Sequence, residues 1–475
     1  MKTSFIYYFL SKGGTGIISI LSIIIFTRML SPEEYGQLSI TLSIVSLFCS
    51  IGYQWIALSI VRFNSSQETS PNLVTATATL LFVLSSSLIF ITSYLWNKFV
   101  ITTPYSNLEF LLLNIMCISL GAFTLVVQVL NSNGQAKKFA LLNSIKSVMV
   151  FIISVSIFNY FGFSVLWVVL SNIVVIACLL LLYSPSFINL NLLSKSKHSD
   201  LFRAFVNYGF PLAISTLAIL VIDLSDRFMI VYWYGNSELA AYTAAYDLIQ
   251  QSVGSLFSIL SLTFLPVIIK SYDSSDNSTY RKYLNKYYEF VLCLAFCVIA
   301  LFCGMNEVIA NIIFGVELRE GASNLTPIVA VAILIGSIKT HFIDIPMKTN
   351  RKTKILLNIS IFMAITNLAC NYILIPEIGA YGGAVATLIA FTVGGGLSLH
   401  YSNYQVVAYC EKSLLLKICF CLAVLLLITK VVLVPSNYGL TSSILYMGCY
   451  TLVMLSIIYM LDFFKIRTNF KMKRF

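Results

Sequence analysis

Residues 16–40 read GIISILSIIIFTRMLSPEEYGQLSI. An apolar run ends at a short polar gap around Ser31-Pro32-Glu33-Glu34, and a second apolar run follows it and continues to about residue 60. A transmembrane helix needs about 20 consecutive, mostly apolar residues. The stretch therefore predicts two membrane-spanning helices that are joined by a tight turn.

The same alternation of apolar runs and short gaps continues to the end of the chain. We predict an all-α integral membrane protein with about fourteen transmembrane helices. They lie at residues 7–27, 37–60, 73–97, 108–131, 140–159, 164–184, 206–232, 240–270, 288–314, 326–347, 355–376, 379–400, 413–435 and 440–464. The gaps are too short for an inserted soluble domain, so the function is expected to lie within the membrane.

Composition supports lipid as the solvent. Hydrophobic residues make up 58% of the chain and charged residues 10%, whereas soluble domains carry about 25% charged residues. The net charge of +11 comes from basic residues in short gaps and not from a basic stripe with interleaved aromatics. Nucleic-acid binding is therefore excluded.

The sequence carries no motif of soluble enzyme chemistry. The eleven cysteines fall mostly in apolar runs, as small core residues do, and the three histidines form no zinc-ligand pattern with them. There is no Walker loop or dinucleotide fingerprint. We expect no catalytic residues, no metal and no cofactor. The first apolar run leads straight into further spans, so we interpret it as the first helix and not as a cleaved leader.

Basic residues predict the orientation of the helices. Most fall in the gaps on one side, including Lys137, Lys138 and the stretch from Lys348 to Lys354, whereas the other side holds Arg28, Lys98, Arg319 and Lys430. Positive charge marks the cytoplasmic side of a membrane protein. Both termini are therefore predicted to lie in the cytoplasm.

An internal repeat predicts the domain organisation. Asn133 and Lys137 recur at the same offset as Asn350 and Lys354, and Gly162 recurs as Gly379. We predict two six-helix bundles in a pseudo-two-fold arrangement, at residues 1–190 and 201–404. Two additional helices and a basic tail occupy residues 413–475. Parallel repeats of this kind are typical of transporters.

Charged residues inside the predicted spans are the candidates for function, because each costs roughly 2.5–3.5 kcal/mol to insert. Lys12, Lys146, Arg227 and Lys339, with Arg28 at a helix end, could line a cationic cavity for an anionic ligand, or the lysines could reach to the inner interface. Asp223 could pair with Arg227, four residues away. His341 and Asp344 could titrate together. The remaining candidates for ion coupling or structural pairing are Asp226 and Asp247.

Four stretches resemble the Wzx-type O-antigen and capsule flippases of the multidrug/oligosaccharidyl-lipid/polysaccharide exporter superfamily. They are Arg28-Met29-Leu30-Ser31-Pro32-Glu33-Glu34-Tyr35-Gly36, Tyr208-Gly209-Phe210-Pro211, Asp226-Arg227, and the run from Ile375 to Ala384. The resemblance covers most of residues 1–400. The order of the four stretches along the chain and their placement at helix ends are together more specific than any single motif.

The resemblance implies a flippase of the bacterial inner membrane. The expected cargo is an undecaprenyl-pyrophosphate-linked oligosaccharide, carried to the outer leaflet by alternating access through a cationic cavity. Lys12, Lys146, Arg227, Lys339 and Arg28 would bind its pyrophosphate or line its route. The expected partners are this polyprenyl-linked oligosaccharide, membrane lipids, a polysaccharide polymerase and a chain-length regulator.

Two other classes of protein stay open. A drug/cation antiporter of the same superfamily would use Asp223, Asp226, Asp247 and Asp344 for a cationic substrate or a coupling ion. A membrane polysaccharide polymerase or ligase would usually display a large outer loop, which this sequence lacks. Glycosyltransferase genes beside the gene for this chain would favour the flippase.

The orientation can be tested with reporter fusions. We expect fusions after residues 134, 276 and 475 to report a cytoplasmic location, because each position lies beside or at the end of a stretch rich in lysine and arginine. A fusion after residue 162 should report the opposite side. A periplasmic signal at any of the first three positions would contradict the predicted topology.

Overall fold

The computed structural model describes residues 2–64, 70–99, 105–183, 197–274, 277–350, 352–402, 412–431 and 440–460. Every regular element within these ranges is a helix, and the ranges contain no strand. The predicted all-helical class is confirmed. The basic tail at residues 465–475 and most of the predicted inner stretch at residues 185–205 lie outside the described residues.

The helices follow one another with short connections. The first eight are α1 (Lys2–Met29), α2 (Pro32–Asn64), α3 (Pro71–Phe99), α4 (Asn107–Ser132), α5 (Ala136–Phe161), α6 (Val165–Tyr183), α7 (Lys197–Ile249) and α8 (Ser255–Asp273). The others are α9 (Asn277–Gly304), α10 (Asn306–Ile313), α11 (Val316–Ile338), α12 (Ile345–Thr349), α13 (Thr353–Ile378), α14 (Ala380–Tyr401), α15 (Lys412–Val431) and α16 (Leu440–Met460). Five-residue π-helical segments occupy Gln250–Gly254 and Lys339–Ile343.

The local sequence explains where several helices begin and end. Ser106 caps α4 in a capping box with Glu109, in which each side chain bonds the backbone N–H of the other residue. Gly162, with φ of 73°, follows the last residue of α5. The turn after α1 uses Ser31 and Glu34 in the same way as Ser106 and Glu109, because Glu34 Oε2 accepts from the Ser31 N–H at 2.8 Å.

Helix α7 is two helices joined at Gly235. The φ of 82° at this residue lies outside the helical region and in the range that favours glycine. The break falls between the predicted seventh and eighth spans, as the short polar gap at Asn236 and Ser237 indicated. One continuous apolar segment, 217–272, therefore contains both spans.

Twelve of the described helical segments are long and apolar enough to cross a membrane. The 56 residues of segment 217–272 would measure about 80 Å at 1.5 Å per residue, which is long enough for two crossings of a hydrocarbon core about 30 Å thick. Apolar residues 416–426 of α15 form a shorter segment. The predicted count of fourteen is thus not confirmed.

Two predicted spans have different internal structure from the expected single helices. The ninth span, predicted at 288–314, divides at Met305 into α9 and α10. The tenth, predicted at 326–347, consists of α11, a π-helical segment and α12. Both places carry polar residues, such as Glu307 and Lys339, but hydropathy averaged over a whole span does not reveal a change in backbone hydrogen bonding.

The chain divides into two compact units. The first unit contains residues 1–25 and 37–227, and the second contains residues 26–36 and 228–475. The turn between α1 and α2 therefore groups with the second unit, and the start of α7 groups with the first. The division into bundles at residues 1–190 and 201–404 stays a prediction from sequence symmetry.

One apolar cluster in the core of the first unit is built from α2, α3, α4 and α7, and a second joins α4, α5 and α6. Phe205 is fully buried and stacks on Phe63 with ring centroids 5.1 Å apart. Tyr53 of α2 is also buried, and its hydroxyl forms a hydrogen bond with the hydroxyl of Ser86 on α3 at 3.0 Å. Large aromatic side chains thus join helices that are distant in sequence.

Small residues let α13 and α14 of the second unit pack closely. A Cβ on Gly382 would lie 2.5 Å from the backbone carbonyl of Leu374, so the backbones could not come this close with a side chain at position 382. Buried Asn367 donates to Thr387 at 3.3 Å and accepts from Asn371 at 3.1 Å. Close backbones and amide hydrogen bonds are the usual means of joining helices in a membrane.

Five strongly exposed aromatic side chains lie near helix ends. Phe99 ends α3, Tyr160 and Phe161 end α5, Tyr232 precedes the break in α7, and Tyr372 lies near the end of α13. These side chains are between 69% and 85% exposed. Tyrosine is enriched where a membrane meets water, and all five positions lie on the predicted outer side.

A close backbone contact fixes the start of α2 within the second unit. A Cβ on Gly36 would lie 1.8 Å from the backbone carbonyl oxygen of Asn236. The Asn236 side chain also donates to Glu33 Oε1 at 2.8 Å. Since the clash would involve a backbone atom, a side chain at position 36 cannot be accommodated by a rotamer change.

We expect Gly36→Ala to destabilise the protein, by about 1–3 kcal/mol, because overpacking displaces backbone. The matched control is Gly395→Ala within α14, where a Cβ would meet no atom within 4 Å and alanine is the better helix former. Thermal unfolding of both variants in detergent, followed by size-exclusion chromatography, measures the difference. A midpoint for Gly36→Ala equal to that of Gly395→Ala would contradict the contact.

Candidate functional site

The first unit contains two membrane lysines that have no carboxylate partner in the described part of the chain. Lys12 is exposed on α1, and Lys146 is partly buried on α5. The ammonium of Lys146 lies over the ring of Phe123 on α4, 5.0 Å from its centroid. A cation–π contact keeps the full positive charge, so Lys146 remains able to attract an anion.

A small residue of α1 and a polar residue of α5 lie close together within the first unit. A Cβ on Gly14 would lie 4.0 Å from Ser144 Oγ, and a Cβ on Gly13 would meet nothing within 4 Å. Lys12 precedes Gly14 by two residues on α1, and Lys146 follows Ser144 by two residues on α5. Residues two positions apart on a helix point to different faces, so this contact joins α1 to α5 without bringing the two lysines together.

Arg227 and its acidic neighbours lie on α7 at the end of the first unit. Arg227 and Asp226 are both buried, and Asp226 has no exposed surface. The Arg227 guanidinium donates to Ser39 Oγ on α2 at 3.4 Å, and Ser225 Oγ donates to Asp226 at 3.3 Å. Asp223 is partly buried, and its pairing with Arg227 stays a prediction.

The second unit contains a buried ion pair that the sequence did not indicate. Lys339 Nζ lies 3.1 Å from Asp344 Oδ2, and both side chains are about 95% buried. The five-residue spacing places them together because Lys339–Ile343 is π-helical, and the Asp344 N–H donates to the Lys339 carbonyl at 3.0 Å. The carboxylate of Asp344 thus pairs with Lys339, and the association of His341 with Asp344 stays a prediction.

Two further polar residues extend this cluster. Lys348 donates to the Thr340 carbonyl at 2.6 Å, and the Tyr287 hydroxyl donates to the His341 carbonyl at 2.9 Å. Both carbonyls lie in the π-helical segment, where the normal helical hydrogen bonds are displaced. Hydropathy had placed Lys348 in a loop, and no sequence pattern pointed to Tyr287.

The other two predicted site residues of the second unit lie apart from this ion pair in sequence. Asp247 is partly buried on α7, three residues before the other π-helical segment, Gln250–Gly254. Arg28 is exposed at the end of α1, and its guanidinium donates to the Ile312 carbonyl of α10. Such a contact, across 284 positions, cannot be read from sequence spacing.

No metal centre forms in the described ranges, where no three His, Cys, Asp or Glu side chains group as metal ligands would. The thiols of Cys49 on α2 and Cys117 on α4 lie 3.3 Å apart within the first unit. Both are free and are surrounded by apolar side chains such as Val45 and Leu113. This thiol pair fits the predicted role of cysteine as a core residue.

The buried ion pair predicts strong coupling between two substitutions. Lys339→Met or Asp344→Asn alone should destabilise the protein by roughly 3–5 kcal/mol, because each leaves one charge buried without a partner. The double variant should be more stable than the sum of the two effects by about 0.5–3 kcal/mol. Unfolding midpoints of the four proteins in detergent complete the cycle, and additive effects would contradict the pairing.

Sequence comparison places the chain among proteins of polysaccharide synthesis. The profile of a family described as "Polysaccharide biosynthesis protein" matches residues 1–272. A capsular polysaccharide biosynthesis protein, CapF of Staphylococcus aureus, is 22% identical over 398 residues, which is 82% of this chain and 96% of that protein.

Structural comparison extends over nearly the whole chain. The lipid II flippase MurJ, in an inward closed conformation, matches with a TM-score of 0.73 at 15% identity and covers 97% of this chain and 99% of its own. An inward-facing multidrug MATE transporter matches with a TM-score of 0.63 at 14% identity and covers 83% of this chain and 95% of its own. These likenesses show a transporter fold, and the profile match over more than half of the sequence shows that the chain belongs to the polysaccharide biosynthesis protein family.

Proposed function

We propose that this protein is a flippase that moves a polyprenyl-pyrophosphate-linked oligosaccharide from the inner to the outer leaflet of a bacterial cytoplasmic membrane. One observation carries the proposal: a chain of the polysaccharide biosynthesis family shares its fold, over 97% of its length, with a lipid II flippase. The proposed cargo is an O-antigen or capsule repeat unit.

The cargo needs a protein because of its headgroup. Each sugar hydroxyl that loses its hydrogen bonds in hydrocarbon costs several kcal/mol, and an isolated charged phosphate costs far more. A route that is lined by polar side chains and cations, and that opens to one side of the membrane at a time, removes both penalties. Alternating access is therefore the mechanism that we propose.

Lys12, Lys146 and Arg227 are the proposed contacts for the pyrophosphate. The two lysines have no carboxylate partner in the described ranges, and Phe123 leaves the charge of Lys146 intact. Arg227 donates to the Ser39 hydroxyl, and a guanidinium can also donate to phosphate oxygens. The charge of the two lysines, which is not cancelled by a carboxylate, favours a diphosphate.

Lys339 is assigned a different role. Its charge is balanced by Asp344 at 3.1 Å, so the pair contributes little net attraction for an anion. We propose that the pair holds the π-helical segment together in this conformation. Arg28 belongs to a separate cleft at the end of α1.

The proposed orientation places both termini in the cytoplasm. The distribution of basic residues supports it, and the exposed aromatic side chains at Phe99, Tyr160 and Tyr372 fit an outer membrane interface. The exported lipid would pass to a polysaccharide polymerase and its chain-length regulator, which are the proposed partners.

A drug or cation antiporter is the second candidate. The fully buried carboxylate of Asp226 favours it, since a buried acid in a membrane helix often binds a cation or proton. The MATE fold likeness is compatible with either function.

Reconstituted protein separates the two functions. Proteoliposomes with a fluorescent polyprenyl-pyrophosphate-linked oligosaccharide should show transfer of the label between leaflets. Lys146→Ala should slow transfer by about tenfold, since a charged hydrogen bond is worth roughly 1.5–3 kcal/mol. Lys146→Arg should retain more activity because it keeps the charge. Lys98→Ala, a surface change at the end of α3, is the control.

The same assay tests the driving force. Export of about two negative charges from a cell that is negative inside yields roughly 2.3 kcal/mol per charge per 100 mV. An imposed potential should therefore accelerate transfer without any ion gradient. Absence of lipid transfer, together with transport of a cationic drug, would replace the flippase by the antiporter.

A further inference from the structure

A cleft with a volume of about 660 Å³ opens beside the end of α1 in the second unit. One wall is the turn that carries the motif residues, and the other is the end of α10 and the start of α11. The lining residues are Thr27, Arg28, Met29, Leu30, Ser31, Asn311, Phe314, Gly315, Val316, Glu317 and Arg319. Two of them are arginines and one is acidic.

Backbone contacts hold the two walls together. A Cβ on Gly315 would lie 1.8 Å from the Thr27 carbonyl oxygen, and the Gly315 N–H donates to Thr27 Oγ1 at 3.2 Å. The Arg28 guanidinium donates to the Ile312 carbonyl. The cleft is therefore a built feature of the fold, since side chains of Thr27 and Arg28 on one wall bond backbone groups of Gly315 and Ile312 on the other.

The carboxylates of the neighbouring turn bond neutral groups and not the arginines. Glu34 accepts from the N–H and the hydroxyl of Ser31, at 2.8 and 3.0 Å, and Glu33 accepts from Asn236. Within the described ranges, Glu317 forms no ion pair with Arg28 or Arg319. Two guanidinium groups and one carboxylate line the cleft. Because Glu33 and Glu34 keep their negative charge nearby, the arginines are distinguished by their available donors and not by a positive net charge of the region.

The arginines also keep unused hydrogen-bond donors. Arg319 Nε is buried and has no hydrogen-bond partner in the described part of the chain. Arg28 is exposed and makes one bond to a carbonyl, although a guanidinium carries five N–H donors. A buried donor without a partner is costly, and planar guanidinium groups match the oxygens of a phosphate.

The surroundings favour a lipid as the source of the phosphate. Val316 is 79% exposed and Met29 is 36% exposed, so apolar surface adjoins the two arginines. The cleft also lies at the end of a membrane-spanning segment, 11–29, which is the level of lipid headgroups. A phosphate that is esterified to an apolar tail satisfies both features, whereas free phosphate satisfies only the charge.

We propose that this cleft binds the phosphate group of a membrane lipid, with Arg28 and Arg319 as its donors. The site is separate in sequence from Lys12, Lys146 and Arg227, and it lies on the predicted outer side. The proposal does not depend on flippase activity, because it concerns binding alone.

Binding of short-chain lipids to the detergent-solubilised full chain tests the proposal. Dihexanoyl phosphatidic acid should bind, and inorganic phosphate should bind at least about tenfold more weakly. Arg28→Gln and Arg319→Gln should each weaken the binding of phosphatidic acid by about tenfold, the value of one charge-assisted hydrogen bond. Lys98→Gln is the control, since it removes one charge at another predicted outer position, and it should change affinity by less than about twofold.

Each contrary result has a defined meaning. Equal weakening by Lys98→Gln and the cleft variants would show diffuse attraction and overturn the site. Inorganic phosphate binding as tightly as phosphatidic acid would overturn the lipid assignment. If Arg319→Gln fails to fold, Arg319→Lys and the exposed Arg28→Gln still decide the question. Normal lipid transfer between leaflets combined with loss of binding would leave the proposed flippase function intact.

Discussion

The structure depends on one constraint: in hydrocarbon, each backbone N–H and C=O group needs a partner within the protein. Helices meet this need segment by segment, which explains why the described chain is helical from α1 to α16. The constraint also makes every interruption informative. The break at Gly235 and the π-turn at Lys339–Ile343 release backbone groups, and the carbonyls of Thr340 and His341 in that turn accept from Lys348 and Tyr287. Irregular backbone and polar side chains therefore occur together.

The same constraint explains how much of the fold the sequence could predict. Helix positions follow from apolar content, because lipid selects for it directly, and the predicted spans match the helices closely over most of the chain. Met305 separates α9 from α10, and the π-helical segment follows α11. Hydropathy averaged over a whole span marks neither change. The grouping of residues 26–36 with the second unit depends on contacts of Gly36 and Gly315 with residues far away in the chain, which no local pattern encodes.

The sequence shows which candidate site residues are costly to place in a membrane, but it does not show which residues they contact. Charges in apolar runs are conspicuous, so Lys12, Lys146, Arg227 and Lys339 could be identified from the sequence alone. Their partners required the structure. An ideal helix brings residues three or four apart together, so the pairing of Lys339 with Asp344 at five residues was hidden, as were the contacts of Lys146 with Phe123 and of Arg28 with Ile312.

The exposed rings near the ends of α3, α5 and α13 have a consequence for the surrounding lipid. Side chains such as Tyr160 and Tyr372 favour the narrow zone where acyl chains give way to headgroups. A helix that tilts carries its rings out of that zone, into either water or hydrocarbon, at a cost of fractions of a kcal/mol per Å of mismatch. Bilayer thickness thereby enters the free energy of any conformational change that tilts these helices, and acyl-chain length becomes a variable that sets its rate.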